Sequence, residues 1–172
     1  MEEFNLLVTC PRDREEASRL ELEDALREMG DDSPEVWTVG VRGLLLAKTS
    51  LNPFEVVSGI REMVLKNPFS LVNLRRVIPI ERVVRADPEE IADAVEGLAS
   101  KIGEGESYRV TVEKRHTTLS RMEVIRAAAA RVPRKVDLEN PDWIVLVEIV
   151  GPVAGVSVLR PGDVVSIEKL RG

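Results

Sequence analysis

The apolar positions of this chain alternate between a period of two and a period near 3.6, the spacings of half-buried strands and amphipathic helices. FNLLVTC, starting at Phe4, is a short apolar run that predicts a strand. The following DREEASRLELEDALREMG carries Ala17, Leu20, Leu22, Ala25, Leu26 and Met29 near helical spacing, with Gly30 placed as the stop. EVWTVGV and GLLLAKT are β-rich runs meeting around Val41, Arg42 and Gly43, the pattern of a hairpin. NPFEVVSGIREMVLKNP predicts a second helix, with Asn52 as cap, Pro53 at the first helical position and Glu55 closing a capping box. Val56, Val57, Ile60 and Val64 form its apolar stripe, and Asn67-Pro68 ends it. SLVNLRRVIPI reads as another strand.

That order, βαββαβ, is the ferredoxin-like split βαβ pattern, assigned to residues 1–78. A second module takes residues 79–172, so the fold class expected is α+β. In it, ADPEEIADAVEGLASKIGEG has Asp87 as cap, Pro88 first in the helix and a stripe of Ile91, Val95, Leu98 and Ile102. SYRVTVEKR alternates as a strand, with Tyr108, Val110 and Val112 on one face. SRMEVIRAAAARV begins with a Ser120 to Glu123 capping box. KVDLENPDWIVLVEIVG predicts a turn at Glu139-Asn140-Pro141 and then a nearly continuous apolar strand, followed by AGVSVLR. The junction near Val77 to Arg82 is short and apolar.

Composition adds bounds. The 172 residues are 44% apolar and 31% charged, a globular profile with material for a sizeable core. No apolar run approaches the length of a spanning helix, and the start, MEEFNLLVTC, is acidic where a secretion signal would be basic. The expected compartment is the cytoplasm. One cysteine and one histidine exclude an internal disulfide and the usual cysteine-cluster or multi-histidine metal sites. The chain has no Gln and is rich in Glu and Arg, a bias that fits heat adaptation.

Charge is unevenly placed. Residues 1–70 hold 14 acidic and 8 basic side chains, a balance of −6, whereas residues 71–172 hold 16 of each. Arg109 to Lys135 carries eight cations against Glu113 and Glu123, so this window is +6 in a chain of net charge −6. A polyanion meets the local field rather than the average.

Catalytic chemistry is not apparent. Cys10 ends a strand before a helix, but the phosphatase pattern Cys-x5-Arg would need arginine where Glu16 stands. His116 as a general base would have to become imidazolium beside Lys114 and Arg115. There is no P-loop and no dinucleotide-binding glycine motif. No catalytic, metal or cofactor residue is therefore assigned. The basic window differs: Lys114, Arg115 and His116 end a strand, Thr117 and Thr118 follow, and Ser120 starts a helix whose free N–H groups favour an anion. Arg121 lies in that helix's first turn, against the dipole, a conflict that a bound phosphate would relieve. Arg134 and Lys135 follow the same helix and could return along the same face. As exposed strand-end charges, Lys114 and Arg115 are expected to add little to stability. A solvated basic face is the alternative to a binding site.

With its strand ending in VEKRHTTLSRMEVI, a helix, then VDLENPDWIVLVEI and GVSVL, the second module resembles the THUMP domain. Asp137, Asn140-Pro141-Asp142 and Glu148 carry the most specific part of the likeness. With the preceding module, the whole chain resembles the stand-alone THUMP proteins that assist tRNA 4-acetylcytidine formation. The resemblance implies recognition of the acceptor 3′ end, with tRNA presented to a separate acetyltransferase acting in trans and no catalysis by the chain itself. Taken with the charge pattern, RNA contacts are expected from Lys114, Arg115, His116, Thr117, Thr118, Arg121, Arg134 and Lys135. The Asn140-Pro141-Asp142 turn is read as structural, and Trp37 and Trp143 as core or interface residues. Two other readings stay open: a tRNA-binding subunit for another modification enzyme, and a ferredoxin-like regulator that binds a small molecule.

Overall fold

A computed structural model describes residues 3–172. It is a mixed α+β protein with two five-stranded sheets and five α-helices among the described residues. None of those helices is long and apolar enough to cross a membrane. The chain divides into two compact units, one of residues 81–161 and one of residues 3–80 together with 162–172.

In the unit that starts the chain, β1 (Leu6–Thr9), α1 (Glu15–Glu28), β2 (Glu35–Trp37), β3 (Leu44–Lys48), α2 (Pro53–Lys66) and β4 (Arg76–Pro79) follow in order. Strands β4, β1, β3 and β2 lie side by side, all antiparallel. Helix α2 starts where the sequence places its cap: the Asn52 side chain accepts hydrogen bonds from the N–H groups of Phe54 and Glu55. Its stripe of Val56, Val57, Ile60 and Val64 is buried with Leu6, Val8, Leu22, Leu26 and Leu45.

Two features differ from the sequence expectation. The strand read across SLVNLRRVIPI forms only at Arg76–Pro79, because Leu71 adopts a φ of +54° and turns the chain before it can pair. The tail, grouped by sequence with residues 79–172, returns to this sheet. There β10 (Val165–Ser166) pairs antiparallel with β4 and α5 (Ile167–Leu170) follows it, burying Val165 and Ile167 in the core. Removing two β-branched side chains from water is the driving force, and a two-residue strand gives almost no local signal of it.

The other unit contains β5 (Arg82–Arg85), α3 (Pro88–Leu98), β6 (Ser107–Arg115), α4 (Arg121–Ala129), β7 (Lys135–Val136), β8 (Trp143–Val150) and β9 (Val153–Leu159). The sheet order is β5-β9-β8-β6-β7, with β8-β6 and β6-β7 parallel and the other pairs antiparallel. Tyr108, Val110 and Val112 share one buried face with Val145, Val147 and Ile149, packed with Ile91, Val95, Val124 and Ala128 of the helices. The predicted alternation of β6 is the observed one. Strand β5, by contrast, has no such signature: RVVR is too short and charged to announce a strand.

Candidate nucleic-acid interface

Strands β5, β6 and β8 all end at one edge of this sheet. Strand β6 runs parallel to β8, while β5 and β8 are both antiparallel to β9. Register places Arg85 opposite Val153 and Arg115 opposite Val150, on either side of the Gly151-Pro152 turn. Two backbone bonds join them, from Gly151 N–H to the Arg115 carbonyl at 2.8 Å and from Ala86 N–H to the Pro152 carbonyl at 2.9 Å. Helices α3 and α4 both start at this edge, capped by Asp87 and Ser120, whose side chains accept from the N–H groups of Glu90 and Glu123. Glu89 and Glu90 in the first turn of α3 already answer its dipole, so the free amides at the start of α4 are the ones that suit an anion.

At the end of β6 the backbone does something unusual. His116 has a φ of +55°, a left-handed conformation uncommon outside glycine, and its ring is exposed. Lys114, half-buried on the helix side of β6, has no ion-pair partner among the described residues. Thr117 Oγ1 accepts from Leu119 N–H at 3.2 Å, which folds the link into α4, and Thr118 is exposed. Arg121 resolves its conflict with the dipole internally. Its Nε–H donates to the Val112 carbonyl at 3.1 Å, drawing the guanidinium back from the helix end. Arg85 joins the same edge with its side chain 78% exposed, held by Glu90 at 2.6 Å. Thirty residues of sequence hide that proximity from a linear reading; only the register reveals it.

A replacement at His116 separates folding from binding. His116→Gly is expected to raise stability by about 0.5–1 kcal/mol, since glycine adopts positive φ without a steric penalty. RNA affinity should fall at the same time if the ring makes a contact. Thermal melting and tRNA titration of one variant check both, and a loss of stability would contradict the reading of the turn.

Arg115 departs from expectation. Its Nη1 lies 2.7 Å from Glu148 Oε1, and the Glu148 side chain is only 1% exposed. Glu113 is the register partner of Glu148 in the parallel pair β6-β8, so Arg115 reaches it diagonally across the sheet. The expectation that this cation adds little to folding is corrected: a buried carboxylate depends on it.

The other cations of the window disperse. Arg131 is held by Asp93 at 2.7 Å, Glu89 at 2.6 Å and Glu96 at 3.5 Å, and these carboxylates raise its pKa further. Arg134 donates from Nε to the Ile102 carbonyl at 3.1 Å and from Nη1 to the Pro133 carbonyl at 2.9 Å. Lys135 is exposed, but the parallel register sets it opposite Ser107, at the start of β6. That is about 26 Å along the strand from Arg115 at the usual rise per residue. The structure thus brings together Lys114, Arg115, His116, Thr117, Thr118 and Arg121, and places Arg134 and Lys135 at the far end.

At that far end, Asp137 Oδ1 accepts from the N–H groups of Glu139 and Asn140, both at 3.0 Å, and these bonds hold its carboxyl below the usual range. Asp142 Oδ2 accepts from Ser107 N–H at 2.8 Å, tying the turn to β6. Trp143 donates to Glu106 Oε1 at 3.1 Å and carries the Arg160 guanidinium 4.0 Å from its ring centroid, so its outer face is covered. Arg109, Glu139, Asn140, Pro141, Ile144 and Pro161 line an open cavity of about 420 Å³ beside this turn. Among the described residues, no group of three or more His, Cys, Asp or Glu could hold a metal ion.

Residues 85–159, nearly the whole of the unit that carries this edge, match the THUMP domain family. The chain carries a THUMP domain. Among solved structures, PH1313 from Pyrococcus horikoshii is similar at 18% identity and a TM-score of 0.68, over 92% of this chain and 55% of that one. TrmN from Thermus thermophilus follows at 20% identity and 0.55, over 91% and 46%. A 4-thiouridine synthetase solved as an RNA complex with bound ATP gives 16% and 0.51, over 92% and 42%. At such identities the likeness is one of fold, and the chain spans about half the length of the structures it matches. Sequence comparison with curated proteins gives no match. The THUMP domain matched by family therefore coincides with the unit whose edge gathers the strand-end cations.

Proposed function

We propose that the chain binds tRNA through the Lys114–Thr118 edge of its THUMP domain and presents the acceptor 3′ end to a separate acetyltransferase for cytidine acetylation. The observation that carries this reading is the meeting of Lys114, His116 and Arg85 with the N-terminus of α4 at one sheet edge. Ammonium, guanidinium and amide groups there can donate charge-assisted hydrogen bonds to phosphates, and threonine hydroxyls and imidazole can meet 2′-OH groups or unstacked bases. The fold shared with a 4-thiouridine synthetase solved with RNA supports RNA as the ligand. The same likeness favours a second reading, in which this surface serves another RNA-modifying enzyme.

In this proposal the chain contributes positioning, and the acetyl-transfer chemistry resides in the partner. Burial pushes the Cys10 thiol pKa up and leaves the side chain 5% exposed, which weighs against it as a nucleophile. The other unit is read as ferredoxin-like, a reading supported by its βαββαβ order and its β4-β1-β3-β2 neighbours.

Purified chain incubated with tRNA, acetyl-CoA and ATP is expected to leave cytidine unmodified. Adding a tRNA cytidine acetyltransferase should yield acetylcytidine faster than the enzyme alone, and trimming the 3′ CCA should weaken tRNA binding. Acetylcytidine made by the chain alone would overturn the adaptor reading. Binding indifferent to the 3′ end would overturn the presentation of that end, and no tRNA binding at all would return the small-molecule regulator to the front.

A further inference from the structure

We propose that the segment from Leu65 to Val72 is a preformed docking knuckle for a partner protein whose apolar pocket is rimmed by carboxylates. Leu65 is 60% exposed, Phe69 84% and Val72 57%, and no other stretch of that length among the described residues exposes three large apolar side chains. A solvent-facing phenylalanine flanked by two aliphatic side chains is the composition of an interface anchor rather than of an idle loop.

The knuckle is held in shape. Asn67 Oδ1 accepts from Phe69 N–H at 3.1 Å, and Ser70 Oγ donates to the Asn67 carbonyl at 2.7 Å. Arg171 donates to the carbonyls of Pro68 at 2.6 Å, Ser70 at 2.9 Å and Leu71 at 3.2 Å. Leu71, at a φ of +54°, is 8% exposed and inserted in the core, while Val72 beside it stays outside. A loop already fixed in this way loses little conformational freedom on binding.

Charge selects the occupant. Residues 61–76 contain Arg61, Lys66, Arg75 and Arg76 against Glu62. Glu168 reaches Arg75 at 3.4 Å and Glu21 accepts from Asn73, and with Arg171 bonded to the loop the surface stays net basic, whereas residues 1–70 as a whole carry −6. Lys66, within the stretch, and Arg171, bonded to its carbonyls, are both exposed, so a complementary surface is acidic at its rim. RNA fits less well: of the three apolar side chains only Phe69 has a face on which a base can stack. The inference deepens the adaptor reading and rests on it for the partner's identity, the acetyltransferase.

The test places a photo-crosslinking phenylalanine analogue at position 69 of the full chain and irradiates it with purified tRNA cytidine acetyltransferase, with tRNA, and alone. An adduct with the enzyme, together with stimulation that falls about 30-fold in Phe69→Asp while tRNA affinity and melting stay unchanged, supports the proposal. Val72→Asp serves the same purpose should Phe69→Asp fail to fold. An adduct with tRNA overturns it in favour of an RNA platform, and a chain-to-chain adduct in favour of self-association. Wild-type stimulation that survives both substitutions overturns it as well. If the wild-type chain does not stimulate the enzyme at all, the acetylation reading has failed separately. The knuckle is then judged by crosslinking in cells: an identified protein whose purified form binds wild type and not Phe69→Asp supports it, and the absence of any such protein overturns it.

Discussion

Arg115→Ala is expected to destabilise the protein by about 3–5 kcal/mol, the usual cost of removing one member of a buried ion pair. Glu148, 1% exposed, would lose the guanidinium 2.7 Å away and could not recover that interaction from water. The double replacement Arg115→Met with Glu148→Leu should recover much of the loss, because the buried carboxylate is removed together with its guanidinium and the new side chains are apolar. Urea denaturation of the two singles and the double closes the cycle. A wild-type midpoint for Arg115→Ala would return that arginine to the set available for RNA. The expected loss also makes Arg115 a poor probe of binding, since weaker tRNA association in that variant would mix folding with contact.

Lys114→Ala is the cleaner functional test. It is expected to weaken tRNA binding by about 1.5–3 kcal/mol, or roughly 10–150-fold, the range for a charge-assisted hydrogen bond. Its melting temperature should stay near wild type, because Lys114 has no ion-pair partner among the described residues whose loss would strand a charge. If the contact is to phosphate, the log–log dependence of affinity on salt should flatten by about 0.7–0.9. Lys114→Arg should restore most of the affinity, whereas an apolar isostere should not. Lys135→Ala provides the comparison, since it removes a cation from the far end of β6. Equal small effects from both would indicate diffuse attraction to a basic surface. Unchanged binding in Lys114→Ala would reduce the strand end to a solvated face.

These two neighbours show how unevenly a linear motif reports its own chemistry. Lys114 and Arg115 are adjacent and both long cations, but strand alternation sends them to opposite faces. One ends beyond Val112 on the helix side, and the other meets a carboxylate on β8. Alternation was visible in SYRVTV; the identity of the facing residue was not, because it depends on which strand pairs and in what register.

What the sequence determined by itself is local. Asn52, Asp87 and Ser120 cap their helices as their side-chain chemistry requires, and the buried stripes of α2 and α3 follow the 3.6 period. The THUMP likeness, too, rested on a contiguous strand–turn–strand pattern, and the family match falls on the same residues. Tertiary structure alone decided everything that depends on partners distant in the chain. It added β5 and Arg85 to the cationic edge, carried Lys135 away from it, neutralised Arg131 against α3 and returned the tail to pair with β4. Caps and periodicity are set by neighbours within about one helical turn or one strand, where geometry is the same in every fold. Ion pairs and sheet register are set by which apolar faces must be buried together, and that choice is made by the chain as a whole.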